Sequence, residues 1–202
     1  MRKEYVVGMT GASGAVYAIR LVQELCRAGH RVHLLLSESV WQVFTLEMGW
    51  PVEHGDLSAI PSLFELPESA DLHIHGSRDY GAPVASGSHL TAGMVVVPCS
   101  MGTLSAIANG SSDNLLERAA DTHLKEGRPL VLVPRETPFN KIHLKNMLAA
   151  ADAGASIVPA MPGFYHRPQT MNDLIDFVVG KVLDAMHVEH TLFRRWGERE
   201  KE

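Results

Sequence analysis

Cysteine is scarce: Cys26 and Cys99 are the only two among 202 residues. Two thiols cannot build a disulfide framework or a four-thiolate zinc site. Both stand in apolar runs, so buried free thiols in a reducing cytoplasm are expected. Excess positive charge is lacking too: 18 lysines and arginines face 23 acids, a net charge of −5. That offers no general attraction to nucleic acid or to an anionic membrane. No stretch reaches the ~18 apolar residues of a membrane span, and the run that follows MRKEYVV is too short for a secretory signal. Repeats and low-complexity tracts are absent. The expectation is one cytoplasmic domain, 1–202, with 190–202 as a charged tail; the length supports one full core.

Strands and helices alternate. Glu4 to Met9, Arg31 to Leu36, the run GMVVVPCS ending at Ser100, and RPLVLVPRE read as apolar strands. ASIVPAMPGFYHRP reads as a strand entering a proline-bracketed loop, and His73–Ile74 as a short strand. Helices are expected at Gly14 to Ala28, Glu38 to Met48, NLLERAADTHLKEG, a segment opened by Pro138 and stopped at Gly154, and MNDLIDFVVGKVLDAM. Pro51 to Leu72 reads as irregular. Strands apolar on both faces, separated by helices, define an α/β fold: a Rossmann-like, doubly wound, mainly parallel sheet with helices on both faces. In such a sheet ligands lie outside the carboxyl ends of the strands.

Those ends share a character. Thr10-Gly11-Ala12-Ser13-Gly14 follows the first strand and Ser37 the second. Ser100, Gly102 and Thr103 follow GMVVVPC, Arg135 and Glu136 follow RPLVLVP, and Gly163, Phe164 and Tyr165 follow the last strand. Hydroxyls and helix N-termini make an uncharged phosphate cradle, although each serine or threonine alone could simply be an N-cap. The dinucleotide fingerprint is missing: the glycines run G-x-x-G-x-x-G, and Ser37 stands where a ribose-binding acid belongs. None of the four tyrosines has a lysine four residues later, which excludes short-chain dehydrogenase chemistry, and Gly-Lys-Ser/Thr is absent, which excludes a P-loop. One phosphate with no adenine ribose, as in FMN, fits the cradle better.

TGASGA, ASGS, PCSMGTLSAIANG, NLLERAADTHLKEGRPLVLVPRETPF and MPGFYHRPQ together resemble the UbiX-type flavin prenyltransferases, from Val6 to about Trp196. The resemblance implies a Rossmann-like subunit that assembles into trimers and then a homododecamer. Reduced FMN would be the acceptor, dimethylallyl phosphate the donor, and prenylated FMN the product, destined for a UbiD-type decarboxylase. By the same resemblance Gly11, Ala12, Ser13, Ser37, Ser100, Met101, Gly102, Thr103 and Arg135 would bind FMN. Arg118, Lys125, Glu136, Tyr165 and Lys181 would surround the donor phosphate. Trp196 would help wall the prenyl group, and Ser13, Glu47, Glu136 and Lys125 would serve catalysis. Two positions depart from the family. Tyr80 stands where some members have tryptophan, and Lys181 where arginine is usual, which keeps the charge but loses the bidentate fork.

The chemistry is consistent with these residues. No two aspartates are adjacent, so the magnesium-binding DDxxD motif of most prenyl-diphosphate enzymes is missing, and the leaving phosphate must be met by side chains. Arg118 and Lys125, seven apart on one helix, share a face with Asp121 and Thr122; an ordinary solvated face is the competing reading. Glu136 is the proton-relay candidate. Tyr80, Tyr165 and Trp196 are the aromatic faces that could steady a cation. His73 and His75 alternate in their strand, but no third ligand stands at metal spacing, so no metal site is expected. Three other readings stay open: an FMN-dependent cysteine decarboxylase, a flavin carrier for a decarboxylase, and direct decarboxylation of an aromatic acid. Met171-Asn172 lacks the proline pattern of the first.

Overall fold

The structure, a computed structural model, describes residues 2–197; of the expected tail, 198–202 lie outside the described residues. In chain order the elements are β1 (Glu4–Met9), α1 (Ala15–Arg27), β2 (Arg31–Leu36), α2 (Val40–Leu46), α3 (Ile60–Leu63), β3 (Asp71–His75), β4 (Gly93–Cys99), α4 (Met101–Ala108), α5 (Leu115–Lys125), β5 (Leu130–Pro134), α6 (Lys141–Asp152), β6 (Ser156–Ile157) and α7 (Met171–Ala185). The six strands form one sheet in the order β3-β2-β1-β4-β5-β6, and every pairing is parallel. The order reverses between β1 and β4, so the crevice for a ligand opens at their carboxyl ends.

Side-chain alternation splits the core into two layers. Tyr5, Val7, Met9, Val32, Leu34, Leu36, Val95 and Val97 point toward α1, α2 and α7. Val6, Leu35, Met94, Val96, Leu130 and Leu132 point toward α4, α5 and α6. Covering both faces removes the period-two polar signal from the central strands, which is why they read as unbroken apolar runs. Both cysteines are buried and free. Burial pushes the Cys26 thiol up to about 11 and Cys99 further in the same direction. Among the described residues no helix is long and apolar enough to cross a membrane.

Four local expectations change. The stretch after Ser100 folds as α4, a short helix of small residues whose buried positions Met101, Leu104 and Ile107 recur every three residues. Pro138 does not open α6; Asn140 does, its side-chain oxygen accepting the N–H groups of Ile142 and His143 at 2.9 Å each. The stretch from Pro51 holds a 3-10 turn at Leu57–Ala59 and α3, and ends in the edge strand β3. Residues 190–197 are not merely a charged tail. Phe193 and His190 lie across α7 at Gly180, where a Cβ would stand 2.5 Å from Phe193 Cε1 and 2.7 Å from His190 Cε1. Asp184 holds the segment in place, accepting hydrogen bonds from Arg195 at 2.8 Å and His190 at 3.1 Å.

Glycine inside a helix normally costs about 0.5–1 kcal/mol relative to alanine. Here the sign reverses, because the tail occupies the space a methyl group would need. Gly180→Ala is expected to lower stability by about 1–3 kcal/mol in urea melts.

His123 is buried, its ring nitrogens 2.7 Å from the Ala119 carbonyl and 2.8 Å from the Thr91 hydroxyl. Burial holds its imidazole below the ordinary histidine range, against an opposing pull from the Ala119 carbonyl. Burial depresses His30 in the same way. Above about pH 6.5 the ring is neutral in both folded and unfolded chains, and its contribution to stability is complete. Below that pH the unfolded chain takes up a proton that the folded chain resists, so stability falls as pH falls toward the folded value. Denaturation between pH 7.5 and 5, as an order-of-magnitude window around the unfolded value, should show this slope, and His123→Gln should make it shallower.

Candidate active site

The carboxyl ends of β1 and β4 are tied by one buried hydroxyl. Thr10 Oγ1 donates to the Pro98 carbonyl at 2.7 Å and accepts the Ser100 N–H at 2.9 Å. Ser100 is thereby aimed into the crevice, where it caps α4: its Oγ accepts from the Thr103 N–H at 3.2 Å and donates to Thr103 Oγ1 at 3.0 Å. Met101 and Gly102 form the first turn of that helix. The sequence places Thr10 among the strand-end hydroxyls of a phosphate cradle; the structure buries it and makes it a backbone bridge instead. Its position directly after a strand and before a glycine was the available signal.

The glycine turn lies beside this bridge. Gly11 faces Ser39, and a Cβ on it would stand 2.4 Å from Ser39 Oγ, so no larger residue fits without displacing that side chain. Ser39 Oγ lies 3.2 Å from Ser37 Oγ. Gly11, Ser37 and Ser39 thus form a cradle of hydroxyls and backbone with no charge of its own. Ala12 is buried and Ser13 exposed at the turn's outer side. The first amides of α1 are already taken: Glu47 accepts the Gly14 N–H at 2.9 Å and the Ala15 N–H at 3.0 Å. A carboxylate on a helix N-terminus is favourable, and the Ser37 and Ser39 hydroxyls lie beside it. The donor set, neutral apart from Arg135, suits one phosphate, as FMN carries.

From the end of β5, Arg135 Nε donates to the Ser13 carbonyl at 3.0 Å, so four strand ends, those of β1, β2, β4 and β5, meet in one rim. Tyr17 sits among these groups. Burial raises its phenol above the ordinary tyrosine value, Arg135 opposes this and Glu47 adds to it. Glu136 follows Arg135 half-buried, its carboxylate accepting the Thr137 N–H at 2.9 Å. Tyr165 packs edge-on to Trp196, ring centroids 5.4 Å apart, and the two border a cavity of about 280 Å³ with Arg194, Arg195 and Gly197. Tyr80, the departure from the family pattern, donates its hydroxyl to the Asp113 carbonyl at 2.6 Å.

Three cations stand elsewhere in the chain. Arg118 donates to the Ala85 carbonyl and pairs with Asp121, each at 3.1 Å. Lys125 pairs with Glu126 beside Gly87. The same loop continues to His89, which contacts Glu4 at the amino end of β1. The six-residue strand β1 separates that end from the glycine turn by roughly 17 Å, so one chain does not bring Lys125 to its own cradle. Lys181, on α7, lies 3.5 Å from Asp184.

A parallel sheet of this order with a neutral phosphate cradle at its switch point defines a Rossmann-like flavoprotein, and the Flavoprotein family model matches residues 1–183. The chain is 56% identical over 199 residues to the flavin prenyltransferase UbiX of Alkalihalophilus pseudofirmus, covering 98% of each. It superposes with a TM-score of 0.87 on AnUbiX (PadA1), crystallised in complex with FMN and dimethylallyl pyrophosphate, at 42% identity over 99% of this chain and all of that one. The TM-score is 0.84, again at 42% identity, against a dodecameric FMN-dependent UbiX-like decarboxylase from Escherichia coli O157:H7, covering 96% of this chain and all of that one. The chain belongs to the UbiX family of flavin prenyltransferases.

Thr10→Val keeps the shape but removes both hydrogen bonds of the bridge. It should cost about 1–3 kcal/mol in chemical denaturation, because the Ser100 N–H and the Pro98 carbonyl lose a buried partner.

Proposed function

We propose that this enzyme joins a dimethylallyl group to N5 and C6 of reduced FMN, releasing phosphate and making prenylated FMN for a UbiD-type decarboxylase. The observation that carries this reading is the neutral cradle at the β1–β4 switch point, in a chain so similar to the relative that binds FMN and dimethylallyl pyrophosphate. Reduced FMN supplies the nucleophilic N5, which takes prenyl C1 and gives up its own proton to the departing phosphate, and the C6 that closes on prenyl C3. Gly11, Ala12, Ser13, Ser37, Ser100, Met101, Gly102, Thr103 and Arg135 hold the flavin. Closing the ring puts a proton on prenyl C2 and takes one from flavin C6. Glu136 moves that proton, and Ser13 with Glu47 continues the polar network. Tyr165 and Trp196 shield the developing cation, at roughly 0.5–2 kcal/mol per aromatic face.

Arg118, Lys125 and Lys181 neutralise the departing phosphate without a divalent ion. Because Lys125 stands at the far edge of its own sheet, Arg118 and Lys125 serve the cradle of a neighbouring copy, which makes the homo-oligomer part of the site. Trimers assembling into a dodecamer, as the dodecameric relative suggests, meet this need in a cytoplasmic enzyme. The chain itself contributes orientation and electrostatics, while the flavin carries the bond-making chemistry.

Anaerobic incubation with reduced FMN and either dimethylallyl monophosphate or diphosphate, followed by mass measurement of the flavin, should show an added five-carbon unit with one of the two donors. Flavin retained unchanged with both would establish a carrier instead. Glu136→Gln should keep FMN and lose prenyl transfer by about 10²–10⁴-fold. Mixed oligomers of Glu136→Gln and Lys125→Ala chains should regain activity that neither has alone.

A further inference from the structure

On the sheet face opposite α1 and α7, from the amino end of β1 across β2 to the end of β3, the fold collects a group of histidines. Glu4 opens β1, His33 lies within β2, His75 ends β3, and His89 stands in the connection to β4. His33 is flanked by Val32 and Leu34, which belong to the α1–α7 core layer, so it points to the opposite face; it is buried. Two imidazoles converge on one carboxylate oxygen: His33 Nε2 and His89 Nε2 lie 2.6 and 2.7 Å from Glu4 Oε1. Among the described residues these three donor atoms form a group within 4.8 Å of one another. Behind them His33 Nδ1 lies 3.0 Å from His75 Nε2, and His75 Nδ1 lies 3.2 Å from Asp79 Oδ2.

We propose that Glu4, His33 and His89 form a site for one divalent transition-metal ion of the zinc class, with His75 and Asp79 as positioning residues. Two imidazoles and one carboxylate are a zinc donor set that leaves a fourth position open. The relay from Asp79 through His75 to Nδ1 of His33 does what supporting groups around a bound metal do. It fixes the ring and leaves Nε2 with its lone pair toward the ion. Metal–ligand distances near 2.1 Å place neighbouring donors about 3.3 Å apart, so the carboxylate must withdraw from the two rings by somewhat less than 1 Å. Glu4 and His89 can give, since both are only half-buried and His89 lies outside any helix or strand. A cavity of about 530 Å³ opens on the Glu4 side, lined also by Arg2, Lys3, Arg31, Leu90, Thr91 and Ala92, and offers a path to that ligand. Arg31 stands 3.8 Å from Glu4 but is committed to Asp71 at 2.8 Å.

The ion would pin the connection between β3 and β4 to the sheet. Arg118 and Arg128 donate to carbonyls of that same connection, at Ala85 and His89. The site is therefore structural, and separate from prenyl chemistry that proceeds without a metal.

The test is titration of tag-free, chelator-stripped protein with Co²⁺. Saturation at one ion per chain, with the intense visible absorption of four-coordinate cobalt that Zn²⁺ abolishes, is the expected result. His89→Ala and Glu4→Gln should each weaken binding by about tenfold or more, and Asp79→Asn by about tenfold, while FMN binding and circular dichroism stay unchanged. These variants avoid the buried His33, whose loss could unfold the chain. No saturable binding at one ion per chain, or binding that His89→Ala and Glu4→Gln leave intact, would overturn the proposal.

Discussion

Thr10 carries a load out of proportion to its size. Its hydroxyl sits between β1 and the segment after β4, accepting the backbone N–H groups of Ser100 and, at 3.4 Å, Ala12, and donating to the Pro98 carbonyl. The two strands diverge at this point because their crossovers run to opposite faces of the sheet. Without a polar bridge, the Pro98 carbonyl and the Ser100 N–H would be left unpaired in the interior. With it, Ser100 caps α4 and the glycine turn is held level with the serines after β2. The rim at the carboxyl edge of β1 and β4 follows from that one bridge.

Charge around the rim is sparing. Glu47 neutralises the start of α1 from within the chain, and Arg135 grips the backbone of the glycine turn. Neutral donors suit a mononucleotide phosphate that must be held through a reaction. Cations that meet a leaving phosphate are best kept apart from it, or the flavin's own phosphate would occupy them. Within one chain Lys125, paired with Glu126 beside Gly87, keeps that separation.

The segment after α7 adds a second kind of closure. Gly180 gives Phe193 and His190 a seat on the helix, Asp184 fastens Arg195, and Trp196 comes to rest edge-on to Tyr165. An aromatic wall is thus built from two loops more than 30 residues apart in sequence. Its position depends on a glycine in a helix interior, where propensity alone would disfavour one.

The order of most strands and helices, the parallel sheet and the residues at its carboxyl edge were legible in the sequence. Buried parallel strands must be apolar on both faces, and their crossovers admit one hand. The glycine turn, Ser37, Ser100 and Arg135 were legible for the same reason: they stand directly after strands, and that position alone places them on one rim. Helix α4 was not, since its small residues show no polar stripe, and neither was Thr10, whose partners lie about 90 residues away. The meeting of Glu4, His33, His75 and His89 is likewise invisible along the chain. It depends on strand order and register, which bring distant residues side by side and which no local spacing encodes. Sequence periodicity determined the layers and the edge. Only the tertiary structure decided which hydroxyl bridges the crevice, which cations stand away from it, and which histidines meet, because each depends on contacts between residues that lie tens of positions apart in the chain.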